Sequence, residues 1–173
     1  MNQFIGNTAT LHLTSGDVKL QQVASWVEEG SATLTITEGA EHLDTLLLRL
    51  PDWSADTKIL VNGKAVAYET ENGYAVIKGG FKNGDTVSIS ADVTPTRVYA
   101  NENVISNEGR VAIQRGPIVY CMEGIDNPMT FQGEAGLSVV LPKESKFTEK
   151  KIDDLYGGVI ALTADAVWAM VSG

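Results

Sequence analysis

The sequence is short of cysteine, histidine, basic charge and long apolar runs, and each shortage removes a class of protein. A single thiol, Cys121, cannot form an internal disulfide, so no bridge pattern points to a compartment. Zinc needs three or four ligands converging at close range, whereas Cys121, His12 and His42 lie far apart on mostly strand-like segments, so no metal site is expected. No stretch approaches the roughly 18 apolar residues of a membrane helix. The opening MNQFIGNTATLHL has no basic segment followed by a continuous apolar run, so it does not read as a signal peptide. A soluble chain is expected, which can be cut from a longer one whose targeting signal lies elsewhere. With 13 Lys and Arg against 22 Asp and Glu, the net charge is -9, which argues against nucleic acid and anionic membrane as partners. There is no EF-hand loop, no Gly-rich phosphate loop, no Gly-x-Ser-x-Gly elbow and no helical stripe of useful length.

What is present has a period of two. Thr8 to Leu13 and Ser31 to Thr37 alternate polar with apolar side chains, the pattern of antiparallel strands with one wet face. Leu43 to Leu50 is more continuously apolar and suits a more buried strand, stopped by Pro51-Asp52. Lys58-Ile59-Leu60-Val61 and Lys64-Ala65-Val66-Ala67-Tyr68 flank Asn62-Gly63, a dipeptide that tolerates the positive φ angles of a type I′ turn, so a β-hairpin is expected. Further turn groups at Glu71-Asn72-Gly73 and Lys82-Asn83-Gly84-Asp85 each lead into a short strand. Strands at this spacing predict an all-β fold: an antiparallel β-sandwich over 1–108, then a second, smaller or truncated β-rich section over 109–173. The boundary is placed within the polar run Asn101 to Gly109, after Glu108. Four strands are expected beyond it, around 111–122, 137–141, 158–163 and 166–171, with 143–155 either a short helix or a charged loop.

The stretch GRVAIQRGPIVYCMEG, Gly109 to Gly124, interrupts an apolar strand with Arg115-Gly116-Pro117 and follows it with the only cysteine. A nucleophilic thiol needs a base in reach, and no histidine is near Cys121 in sequence, so a small buried hydrophobe is the economical reading. Gly116 and Pro117 permit a bend or bulge that carries the strand from one sandwich to the next. Arg115 then pairs with a carboxylate or donates to backbone carbonyls at the junction. Glycosidase chemistry needs two carboxylates about 5 to 10 Å apart around a sugar, but Asp52, Glu71, Asp85, Glu102 and Glu108 all sit in or beside turns, where solvated charge explains them. Trp26, Trp53 and Trp168 offer the aromatic faces of a sugar platform, with core or interface packing as the plainer use.

An ordered set of segments carries a resemblance. Phe4 to Ala9, Leu48-Arg49-Leu50-Pro51-Asp52-Trp53, Val61-Asn62-Gly63-Lys64, Gly73 to Ile77, Asn83 to Val87, Arg97-Val98-Tyr99-Ala100-Asn101, Gly109 to Cys121 and Leu155 to Ile160 resemble the region after the catalytic domain in glycoside hydrolase family 127, the β-L-arabinofuranosidase family. The resemblance implies a parent with an (α/α)6-barrel catalytic domain, a zinc-bound cysteine nucleophile among several cysteines, a glutamate, and β-sandwich domains after the barrel. Cys121 matches the Arg-Gly-Pro strand and not the family's adjacent pair of catalytic cysteines, so neither nucleophile nor zinc ligand transfers to it. The implied role is a non-catalytic accessory region with no cofactor of its own. Its implied partner is the catalytic barrel of the parent chain or another subunit. The alternative is a stand-alone carbohydrate-binding module that holds a plant-type glycan on its tryptophans.

Overall fold

A computed structural model describes residues 1–123, 137–155 and 157–170. The chain forms two compact units, Met1–Thr94 and Pro95–Gly173.

The first unit is a β-sandwich of nine antiparallel strands: β1 (Asn7–Leu13), β2 (Gly16–Ser25), β3 (Ser31–Glu38), β4 (Thr45–Arg49), β5 (Thr57–Val61), β6 (Lys64–Ala65), β7 (Glu69–Glu71), β8 (Tyr74–Lys78) and β9 (Thr86–Ala91). One sheet runs β1-β2-β3-β9-β5-β6 and the other β4-β8-β7. The alternating sequence supplies the inner faces: Leu34 and Ile36 from β3 and Val87 and Ile89 from β9 pack with Leu46 and Leu48 from β4. Each such side chain, taken fully out of water, contributes about 1.5–3 kcal/mol. In β4 burial alternates, with Leu47 exposed on the outer side. The continuously apolar run thus gives a strand buried on one face only, with Leu46 and Leu48 inward.

The long strand β2 carries Val18, Leu20 and Gln22 inward. Gln22 is tolerated there because its amide donates to the carbonyls of Gln3 at 3.3 Å and Ile5 at 2.6 Å. A four-residue helix, Trp26–Glu29, joins β2 to β3 and ends at Gly30, whose φ is 64°. The Asn62-Gly63 hairpin forms as expected, with Val61 opposite Lys64 and φ values of 48° and 74° at the two turn residues. Asn72-Gly73 repeats it between β7 and β8 at 49° and 80°. Both are type I′ in φ.

The second unit holds β10 (Thr96–Val98), β11 (Ala112–Arg115), β12 (Ile118–Tyr120), β13 (Leu137–Val140), β14 (Thr148–Ile152), β15 (Val159–Thr163) and β16 (Val167–Met170). They form one three-stranded sheet, β10-β11-β12, and two pairs, β13-β16 and β14-β15. The segment left open between helix and loop supplies strand β14. Because β10 pairs with β11, residues 95–108 fold with the strands C-terminal to them, and the two units meet at Thr94–Pro95 instead of near residue 108. Among the described residues, every fully buried apolar side chain lies between Phe4 and Ala91, in the first unit.

Candidate functional site

Arg115-Gly116-Pro117 is a turn and not a bend between sandwiches. Arg115 pairs with Ile118 across the β11–β12 hairpin, and Gly116 and Pro117 are its two loop residues. Gly116 has φ 54°. A glycine at the first central position and a residue locked near -65° at the second is the signature of a type II′ turn. The tripeptide therefore belongs within the second unit, because a two-residue primed turn reverses the chain instead of forwarding it.

The turn sends Arg115 into the interior. Its side chain is 6% exposed, and Nε donates to Glu149 Oε2 on β14 at 2.9 Å. On the adjoining strand β12, the Tyr120 hydroxyl donates to the Ile160 carbonyl on β15 at 2.8 Å. Burial pushes the Tyr120 phenol above its ordinary value of 10.0, with Arg115 pulling the other way. These two polar contacts tie the β11–β12 hairpin to the β14–β15 hairpin. Arg97 on β10 makes a third tie: Nη2 donates to the carbonyls of Pro142 at 3.1 Å and Ser145 at 2.5 Å, and the guanidinium lies 4.7 Å from the Phe147 ring centroid. The sequence flagged Arg115 by its odd company. It gave no such signal for Arg97 or Glu149, whose partners are 34 or more residues away.

Cys121 is exposed, one residue past the end of β12, and this overturns the expectation of a buried thiol. The apolar run misled because β12 stops at Tyr120 and shows Ile118 and Val119 to solvent. Trp26 and Trp53, distant in sequence, are brought together with ring centroids 5.7 Å apart, but they meet edge to face at 64°. Trp26 also stacks on Phe4 at 4.2 Å and packs against the core. This pair is not coplanar and lies half-buried. Trp168 sits on β16 opposite Val139, and its side chain lies outside the described residues.

The first unit has an open cleft of about 590 Å³ beside Tyr68, Lys78, Phe81 and Asp85. Its polar groups are already engaged. Lys78 Nζ donates to Glu69 at 2.9 Å, the Tyr68 hydroxyl to Thr57 O at 3.4 Å, and Asp85 accepts from Asn62 Nδ2 at 2.9 Å and Lys82 N at 2.8 Å. Among the described residues, no three His, Cys, Asp or Glu converge as metal ligands, and no helix is long and apolar enough to cross a membrane.

Two family models match the chain in tandem. Residues 1–93 match the middle domain of the family 127 β-L-arabinofuranosidases, and residues 95–167 match the family's C-terminal domain. The chain belongs to glycoside hydrolase family 127. The domain match divides the family 127 chain where its two compact units meet. A non-reducing end β-L-arabinofuranosidase of Bifidobacterium longum subsp. longum is 36% identical over 133 residues, which are 73% of this chain and 20% of that protein. The crystal structure of a GH127 β-L-arabinofuranosidase from Geobacillus stearothermophilus T6 superposes with a TM-score of 0.83 at 29% identity, over 95% of this chain and 25% of that one. A GH127 β-arabinofuranosidase structure gives 0.81 at 30% identity, over 95% and 28%. The chain thus spans between a fifth and just over a quarter of the length of these relatives.

Proposed function

We propose that this chain is the non-catalytic β-sandwich region of a family 127 glycosidase of the β-L-arabinofuranosidase type, which supports the catalytic barrel of the parent chain or contacts between subunits. One observation carries the reading. The chain matches the family's middle and C-terminal domains almost end to end, yet accounts for only 20–28% of its relatives' length. Its own chemistry agrees: the lone thiol stands in a loop, and the acidic side chains of the cleft serve turns and ion pairs. On this reading Arg115, Gly116 and Pro117 are structural, Trp26 and Trp53 pack, and the zinc and nucleophile of the family reside outside this chain. A glycan platform draws no support from an edge-to-face, half-buried tryptophan pair.

The test is hydrolysis of a chromogenic β-L-arabinofuranoside by the purified 173-residue chain, with and without added zinc. No turnover is expected in either case. Turnover abolished specifically by Cys121→Ser would overturn the proposal.

A further inference from the structure

The three-stranded sheet of the second unit is inside out. Cross-strand partners share a face, so Arg97, Ile113 and Tyr120 point one way together with Arg115 and Ile118, while Thr96, Val98, Ala112, Gln114 and Val119 point the other. The first face carries both guanidiniums, each held by partners within the unit. The second has no charged side chain. Val119 on it is 67% exposed and Val98 43%, with Ala112 and Thr96 also exposed. An antiparallel sheet with one wet side normally shows the reverse, aliphatic groups inward and charge outward. The connection from β10 to β11 also exposes Tyr99, Val104 and Ile105, the last 78%, alongside the charged Glu102, Glu108 and Arg110. An uncharged sheet face with exposed aliphatic side chains is a candidate contact site.

We infer that the outward face of β10-β11-β12, centred on Val98, Ala112 and Val119, is the seat for the part of a family-length enzyme that this chain does not include. The inference rests on the accessory-region reading and adds to it the surface that gives the support. The occupant is named from length: relatives that superpose on 95% of this chain carry roughly three-quarters of their polypeptide elsewhere, and that polypeptide must pack on something. The absence of charge on the face calls for an apolar counterpart with few ion pairs.

Two measurements test it. In the 173-residue chain, Val98→Asp and Val119→Asp are expected to leave the melting temperature unchanged, because Val98 is 43% and Val119 67% exposed. A clear fall in melting temperature would mean that the chain covers the face itself, and would overturn the inference. Hydroxyl-radical footprinting then compares this chain with the intact Bifidobacterium longum relative, each peptide normalised to its reactivity when unfolded. Peptides aligned with Val98, Ala112 and Val119 should be oxidised several-fold less in the intact relative. Equal oxidation would overturn the placement while leaving the accessory reading to stand or fall by the hydrolysis assay. Protection in this chain that rises with concentration, with a dimer in sedimentation, would make a second copy the occupant and would also overturn it.

Discussion

At the scale of the residue, Arg115 and Cys121 show opposite outcomes for neighbours in one motif. Arg115 is 6% exposed and Glu149 38%, so the guanidinium has lost most of its water while its partner keeps some. Removing one member of such a pair leaves a buried charge short of a ligand, whereas removing both can be nearly neutral. Glu149→Ala is therefore expected to destabilise the second unit by about 1–3 kcal/mol, and the double change Arg115→Met with Glu149→Leu by clearly less. Urea unfolding of the three proteins checks the order. Cys121 has no such stake. Cys121→Ala should fall within about 0.5 kcal/mol of wild type, as exposed substitutions do. A disulfide reagent should label the thiol as readily in the native chain as in the unfolded one, and slow native labelling would restore the buried reading.

Among the elements, the turns are where local sequence decides most. Gly63 has φ 74° and nothing within 4 Å of where a Cβ would stand, so a side chain there meets strain without a clash. Gly63→Val should cost about 1–2 kcal/mol through the backbone alone, and Gly63→Asn much less, measured as the denaturation midpoint of the first sandwich. The neighbouring turn is braced by Asp85, whose carboxyl is held below the usual carboxylate range, first by the Asn62 amide and then by the Lys82 backbone N–H. A depressed folded-state value means that the contribution is present above the unfolded value near 3.8 and is lost as pH falls through the folded one. Stability of the first unit should therefore decline on acidification below about pH 4, and Asp85→Asn should flatten that part of the profile. Asn62 is thus both the turn former and the anchor between turns, since its Oδ1 also accepts from Thr86 N at 2.9 Å.

For the whole molecule, the two units are unequal. The described core lies wholly within Met1–Thr94, while the second unit is knit by Arg97, Arg115 and Tyr120 through polar contacts. A chain truncated after Thr94 should keep a cooperative melt close to that of the first sandwich in the full chain, whereas 95–173 alone should melt broadly or not at all. Differential scanning calorimetry of both pieces checks this. The sequence by itself determined the all-β class, the strands with strict alternation and the Asn62-Gly63 hairpin, because a period of two and a positive-φ dipeptide are local properties of the chain. It under-read β2, where Gln22 occupies an inward position and breaks the apolar alternation until the carbonyls of Gln3 and Ile5 are seen to satisfy it. It also took an apolar run for buried strand at Cys121 and a primed turn for a bend at Gly116-Pro117. Only the tertiary structure decided which unit owns residues 95–108, that Trp26 meets Trp53 on edge, and that the second unit turns its arginines in and its valines out. Those outcomes depend on partners far away in sequence, and burial is fixed by what lies across the fold and not by the residues on either side.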